Sequence, residues 1–143
     1  MKLSYPLNLM LQQDGNWLVQ FDDIPEALTE GESRQNALSE ASDCLIAALG
    51  GYIREGRDIP LSSFPKKGRE VIVLPVLVCA KIALYRAVRE SGISYGELAM
   101  KMGVSKREIE KLLDPDERSD IDRIDEALSL LGKEMEIEIR NAA

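Results

Sequence analysis

Residues 93–113 constrain the fold more than any other stretch, because they carry the signals for two short helices joined by a tight turn. Leu98 and Ala99 lie on the first predicted helix, and the small Ala99 lets a second helix cross closely. Gly103 follows four residues later, at the point where the chain needs a positive φ that glycine adopts at little cost. The pattern therefore predicts that the first helix ends at Gly103.

The second helix of this stretch is predicted to begin with the capping box Ser-Lys-Arg-Glu, in which Ser105 and Glu108 satisfy each other's backbone amides. Ile109, Leu112 and Leu113 then return to one face at helical spacing, which predicts that this face is buried. Small residue, glycine and capped basic helix in this order are typical of a helix-turn-helix, whose second helix enters the DNA major groove. The alternative is a helical hairpin inside an ordinary globular domain. The residues predicted to contact DNA are Tyr95, Lys101, Ser105, Lys106, Arg107, Glu110 and Lys111.

Composition excludes several kinds of catalysis. The 143 residues are 45% hydrophobic, which suffices for one domain or two small ones. The absence of histidine excludes Ser-His, Cys-His and His-metal chemistry, and Cys44 and Cys79 lack the spacing of a metal site, so both are interpreted as core residues and neither a metal nor a cofactor is predicted. No apolar run approaches the ~20 residues of a membrane span, and no signal peptide is recognisable, so we expect a cytoplasmic protein with no membrane partner.

The net charge of −7 is distributed unevenly along the chain. Residues 1–74 carry a net −4, residues 75–114 carry +2, and residues 115–143 carry −5. Only the region of the helical pair is basic, as DNA binding requires. The acidic remainder favours a basic partner, although an acidic surface that is merely solvated is the simpler explanation of the charge alone.

The first half of the chain has the pattern of a small sheet covered by a helix. Alternating apolar residues and the Asp14-Gly15 turn predict a meander, and Ser33 is predicted to cap a helix over residues 34–55 that bends or frays at Gly50 and Gly51. A short apolar run predicts a buried fourth strand. The predicted strands cover residues 2–12, 17–21, 26–29 and 70–74.

The second half is predicted to be helical and to end in a strand. Pro75 suits the first turn of a helix over residues 76–89, and Ser119 is predicted to cap a later helix. Alternation at Met135, Ile137 and Ile139 indicates a strand without a neighbour, so these three residues are predicted to pair two copies of the chain as a homodimer or within a higher oligomer. The predicted fold class is α+β, with a small βββαβ domain at residues 1–74 and an all-α helix-turn-helix domain with a C-terminal strand at residues 75–143.

Nearly the whole chain resembles the HicB antitoxins of type II toxin–antitoxin systems, in the branch that has a C-terminal helix-turn-helix. The most specific segments are YPLNLMLQQDGNWLVQFDDIPEALTEGES at 5–33, CAKIALYRAVRESGIS at 79–94 and ELAMKMGVS at 97–105. The resemblance implies a partial ribonuclease-H-like N-terminal domain that binds and masks a HicA mRNA interferase toxin. It also implies a C-terminal domain that represses its operon by binding operator DNA, here expected to be an inverted repeat, and it implies no enzymatic activity.

Two alternatives remain open at this stage. A ribonuclease-H-like fold suggests a nuclease that holds metal ions between carboxylates, for which Asp14, Asp22, Asp23 and Glu26 are the available acids. The other alternative is a helix-turn-helix repressor whose N-terminal domain senses a small molecule, although no glycine-rich phosphate loop supports it.

Overall fold

A computed structural model describes residues 3–64 and 67–142, and the fold is α+β. The strands and one long helix form the first part of the chain, and the remaining helices form the second. In chain order the elements are β1 (Ser4–Pro6), β2 (Asn8–Leu11), β3 (Trp17–Gln20), β4 (Leu28–Gly31), α1 (Arg34–Arg54), β5 (Val71–Val73), α2 (Val76–Ser91), α3 (Tyr95–Met102), α4 (Lys106–Leu113) and α5 (Ile121–Leu130).

The single first strand predicted over residues 2–12 is wrong, because the chain changes partner near Leu7. β1 pairs with β5 in a two-stranded antiparallel sheet, and the Leu7 amide still donates to the Glu70 carbonyl on that side. From Asn8 onward the chain instead pairs with β3 and begins the meander β2-β3-β4. Alternation of apolar residues cannot show such an exchange, because both strands have the same period. Lys2 lies outside the described residues.

Two other strands also differ from the prediction. β4 begins two residues later than expected and continues through Glu30 and Gly31, past the predicted end at residue 29. Gly31 suits this strand because α1 passes directly over it, and a Cβ there would lie 2.4 Å from the Ala37 nitrogen. β5 is not the buried strand that was predicted: Val73 is 46% exposed, and the buried residue is Leu74 just after it. β5 has one neighbouring strand, β1, so its other edge is not covered by a strand among the described residues.

Helix α1 forms nearly as predicted and covers the meander. The Ser33 hydroxyl accepts a hydrogen bond from the Asn36 amide at 3.0 Å, which is the expected N-terminal cap. Small and branched apolar residues pack against β3 and β4. The predicted fraying at the two glycines does not occur, because the helix continues through both and Gly50 is buried beside Pro115. Of the two cysteines predicted to be core residues, Cys79 is buried and Cys44 is half-buried.

Helix α2 joins the two parts of the chain. Pro75 precedes the helix as its N-terminal cap residue rather than lying in its first turn. The Tyr85 hydroxyl donates to the Arg57 carbonyl at 2.7 Å, and the Arg89 side chain donates to Asp58 at 2.8 Å. The buried side chains form one cluster that extends from Leu3 to Leu128. The packing is therefore continuous across residue 75, and the division into two functional domains stays a prediction.

The end of the chain departs furthest from expectation. Asp120 caps α5 by accepting from the Asp122 amide at 3.0 Å, so the assignment of the cap to Ser119 is wrong. The predicted C-terminal strand is also not formed: Met135 is half-buried, Ile137 and Ile139 are 81% and 91% exposed, and their segment pairs with no other strand among the described residues. A strand requires a partner for its backbone groups.

Candidate nucleic-acid interface

Helices α3 and α4 are defined by hydrogen bonds at their ends. The Ser94 hydroxyl accepts from the Glu97 amide at 3.1 Å at the start of α3. Gly103 has φ 69° and ends that helix, and the Val104 amide donates to the Ala99 carbonyl at 3.0 Å. These contacts close the turn between the helices and confirm the prediction that the first helix ends at Gly103.

Helix α4 begins at the predicted serine, but with half of the predicted capping box. The Ser105 hydroxyl accepts from the Glu108 amide at 3.2 Å. Within the described chain, the Ser105 amide donates no matching bond to the Glu108 side chain. One capped amide is enough to fix the helix start, and α4 then runs for 8 residues.

The apolar faces of the two helices pack together and leave a polar face outside. Leu98, Ile109 and Leu113 are fully buried, and Ala99 is 4% exposed. The exposed charged residues of α4 lie on the opposite side, since residues three and four apart share a helix face. Three of them are cations that form no ion pair among the described residues: Lys106, Arg107 and Lys111.

The structure brings four of the seven predicted DNA-contacting residues to one cleft. Tyr95, Arg107, Glu110 and Lys111 line an open space of about 460 Å³. Tyr95 is half-buried, and burial raises the pKa of its hydroxyl above the ordinary value. The phenol is protonated at neutral pH even at the ordinary pKa of tyrosine, about 10, and can donate a hydrogen bond.

The other three predicted residues lie outside this cleft. Ser105 and Lys106 are exposed at the start of α4, while Lys101 faces the space between α3 and the end of α5. The N-terminal region of α4 is therefore open to solvent. Lys101 is exposed near the end of α5, outside the cleft that Arg107 lines.

Two residues near the interface were missed from the sequence. Arg54, at the end of α1, lines the same cleft as Arg107, and no local signal relates the two because they are distant along the chain. Lys81 is fully buried in α2 and contacts the end of α4. The burial of Lys81 could have been predicted from the sequence, because its position falls on the apolar face of α2, with Val78 and Ile82.

The acids considered for a nuclease have separate structural partners. Asp14 accepts from the Asn16 amide within the hairpin turn, and Asp23 accepts from the Ser63 amide and hydroxyl. Asp22 contacts Asn8 and Arg69. Glu26 accepts from the Tyr52 hydroxyl at 2.5 Å, and this bond, with the neighbouring Arg57, lowers the pKa of its carboxyl. Across residues 3–64 and 67–142, no group of three acids or cysteines is arranged to hold a metal ion.

Comparison with known proteins identifies the family. Residues 4–83 match the family described as HicB-like antitoxin of bacterial toxin–antitoxin systems. The chain is 34% identical over 137 residues to Antitoxin HicB 1 of Photorhabdus laumondii, covering 96% of this chain and 87% of the relative. It is 36% identical over 135 residues to Antitoxin HicB of Escherichia coli K12, covering 94% and 98%. The chain belongs to the HicB family of antitoxins.

A solved structure of the N-terminal domain of the Burkholderia pseudomallei antitoxin HicB superposes with a TM-score of 0.40 at 15% identity. It covers 52% of this chain and 98% of that chain. Within the described residues, none of the helices has the length and apolar character needed to cross a membrane.

Proposed function

We propose that this antitoxin has two binding functions and no catalytic one. Residues 1–74 bind and neutralise a HicA-type toxin, and residues 75–143 bind operator DNA and repress the operon that encodes both proteins. Family membership supports a toxin partner, since the relatives are named antitoxins. The separate engagement of the acids near the meander supports binding rather than nuclease chemistry. Both functions belong in the cytoplasm, where the operator is.

The shape and charge of α4 carry the proposal of operator binding. A capped helix of about two turns buries its apolar side and exposes three cations that have no acidic partner among the described residues. The first turn of such a helix is the part that approaches base edges in the major groove. Lys106 and Arg107 lie in that turn, and Lys111 follows on the same exposed side.

For the toxin, we propose the outer face of the meander as the binding surface. Val19 points toward α1 and is fully buried, so Leu18 and Gln20 point to the opposite face. Met10 lies opposite Leu18 on that face and is 41% exposed, and Leu28 lies opposite Gln20 and is 56% exposed. The acidic charge of residues 1–74 suits a toxin that must be basic to bind RNA.

We also propose that two copies of the chain pair through the C-terminal segment. Ile137 and Ile139 expose apolar side chains, and Met135 and Ile137 border a groove of about 340 Å³ between α2 and α5. Burial of these groups against a second copy would cover both the apolar surface and the free backbone. A symmetric dimer presents two copies of α4 to an inverted-repeat operator.

Joint purification and operator binding test the two main functions together. The full chain is produced with the small basic protein encoded beside it. We expect the two proteins to co-elute, and we expect production of this chain to protect cells from the small basic protein. A gel shift on the operon's own promoter should give a specific complex that unrelated DNA does not displace. A small molecule that changes operator binding in the absence of any toxin would instead support the ligand-sensing repressor.

The toxin-binding surface is tested with a matched pair of variants. Met10→Asp combined with Leu28→Asp places two charges on the proposed apolar surface and should abolish co-elution with the toxin. Leu61→Asp is the control, because Leu61 is 78% exposed but lies in the loop after α1, outside the meander. Retained toxin binding in the double variant would move the interface elsewhere on the domain.

A further inference from the structure

Lys81 is the charged residue that is buried among the residues the structure describes. It lies on α2, and its relative exposure is 0%. The Nζ atom donates to the Lys111 carbonyl oxygen at 2.9 Å and to the Ser119 hydroxyl oxygen at 2.6 Å. One ammonium group therefore links α2, the last turn of α4 and the segment that leads into α5.

The contact with α4 has a clear physical basis. The last carbonyl groups of a helix have no partner within the helix, and a cation is favoured near that end by the helix dipole. The Lys111 carbonyl already accepts from the Asp114 amide at 3.2 Å, and Lys81 supplies a second, charged donor. The carboxylates of Asp114 and Glu117 also favour the charged ammonium, although burial lowers the pKa of Lys81 on balance.

A buried lysine is not the residue that stability alone would favour. Removing an ammonium from water is costly, and a well-packed apolar side chain of similar volume is often equally or more stabilising at such a place. What the ammonium provides that an apolar side chain cannot is directed hydrogen bonding to fixed oxygen atoms. The distinctive effect of Lys81 is therefore on the placement of its partners.

The placement matters because α4 is short and its exposed side carries the candidate DNA contacts. At 8 residues, α4 buries three side chains, Ile109, Leu112 and Leu113, and apolar packing of this kind does not by itself direct hydrogen bonds to its backbone. Ser105 fixes its first turn, and Lys81 fixes its last turn at Lys111. The backbone of Lys111 is thus held by Lys81, while its side chain is exposed beside Arg107 in the cleft.

We propose that Lys81 is the positioning residue of α4, holding the Lys111 backbone so that the exposed side chains of α4 meet the base edges of the operator. This inference rests on the operator-binding function proposed above. Lys81 itself is fully buried and does not contact DNA. Its effect on recognition acts through the orientation of α4, since side chains that recognise a ligand must be held within about 0.5 Å of their productive positions.

The main test is Lys81→Met in the full chain, which keeps the apolar stem and removes the ammonium. The operator Kd is measured at a temperature at which the wild type and the variant are both folded. We expect the Kd of the variant to be about tenfold higher, equivalent to about 1.4 kcal/mol. Binding to unrelated DNA and the salt dependence should stay unchanged, because the phosphate-contacting cations are retained. A purely structural role would lower the unfolding temperature and leave the Kd of the folded protein as it was.

Tyr85→Phe provides the matched control on the same helix. Tyr85 is buried, and its hydroxyl donates to the Arg57 carbonyl at 2.7 Å, in the loop after α1 rather than on α4. The variant is compared with Lys81→Met at equal fractions of folded protein. We expect it to retain the wild-type operator Kd. An equal loss of affinity in both variants would overturn the proposal, because it would reflect a general disturbance of α2.

Ser119→Ala is a milder variant that decides the question if Lys81→Met does not fold. It removes one of the two acceptors of the ammonium and leaves the bond to the Lys111 carbonyl, so the operator Kd should rise by less than in Lys81→Met, about threefold. In the Lys81→Met background it should have no further effect, because the two residues act through one contact. An unchanged Kd in Ser119→Ala overturns the proposal.

Failure of this inference can be separated from failure of the proposed function. Replacing Lys106, Arg107 and Lys111 together by alanine removes the candidate contacts themselves. If that variant loses operator binding while Lys81→Met and Ser119→Ala retain it, operator binding by α4 stands and the positioning role of Lys81 is wrong. If the alanine variant also binds normally, the proposed DNA interface is wrong and the positioning role fails with it.

Discussion

Residues 93–113 and the C-terminal segment after α5 both carry strong local patterns, yet only the first forms the structure that its pattern predicts. Helices α3 and α4 have the expected glycine between them and the expected serine at the start of α4. The segment that contains Ile137 and Ile139 alternates as a strand does, but forms none in the described chain.

The difference follows from where each structure finds its hydrogen-bond partners. A helix bonds each amide to a carbonyl four residues earlier, so a short sequence contains both groups. A strand bonds to another strand, which its own sequence does not specify. Residues 93–113 can therefore fold from local signals, whereas the C-terminal segment requires a second strand, which we propose that another copy supplies.

The largest expected effect is on the helical pair. Replacing Lys106, Arg107 and Lys111 by alanine should weaken operator binding by about 3 to 9 kcal/mol if all three read bases, since each such contact contributes about 1 to 3 kcal/mol. The slope of log K against log salt should also fall by about 0.9 for each phosphate contact removed. Titration of operator DNA at several salt concentrations measures both.

The control for that variant removes two cations from outside both compared regions. Arg34→Ala with Arg123→Ala changes the net charge outside both α4 and the C-terminal segment, where both residues are exposed and form ion pairs with glutamates, and should alter operator affinity only slightly. An equal loss in this control would mean that operator binding depends on overall charge rather than on α4.

The next effect tests the C-terminal segment. Ile137→Lys places a charge in the proposed dimer interface, so the full chain should sediment as a monomer and lose about a hundredfold in operator affinity, because two linked α4 helices no longer bind together. Toxin binding should be unchanged. Glu138→Lys, at an exposed position that does not line the groove between α2 and α5, should leave the dimer intact. A wild-type chain that is monomeric at operator-binding concentrations would contradict the dimer.

A smaller effect distinguishes base recognition from phosphate contact within α4. Arg107→Ala should cost about 1 to 3 kcal/mol on the natural operator. If Arg107 reads a base, the loss should disappear on operators altered at one or two base pairs. If Arg107 contacts a phosphate, the variant should bind all operator sequences more weakly by the same factor. Binding to a panel of single-base operator variants separates these outcomes.

The smallest effect concerns folding of the helical pair. Gly103→Ala forces a side chain into the left-handed region at φ 69°, which should lower the free energy of unfolding by about 1 kcal/mol. Gly96→Ala is the matched control, because Gly96 lies inside α3 with only the Ser94 hydroxyl near its added Cβ, at 3.9 Å. It should leave stability unchanged or raise it by up to about 1 kcal/mol. Denaturant unfolding of both variants measures the contrast.

The exposed residues of the candidate interface could largely be predicted from the sequence, but their arrangement in space could not. The exposed cations of α4 follow from its apolar spacing, so Lys106 and Arg107 could be named from the sequence. That Arg54 shares a cleft with Arg107 depends on how α1 lies beside α4. No spacing in the chain encodes that proximity.

The sequence by itself determined the helices of this protein and most of their ends, because capping and helical hydrogen bonds join residues only a few positions apart: Ser33, Gly103 and Ser105 each act on their own neighbours. Only the tertiary structure decided that the first strand divides between two sheets and that the Lys81 ammonium meets the Lys111 carbonyl. Those contacts join residues far apart in the chain, and the partner of a strand or of a buried charge depends on the packing of the whole molecule.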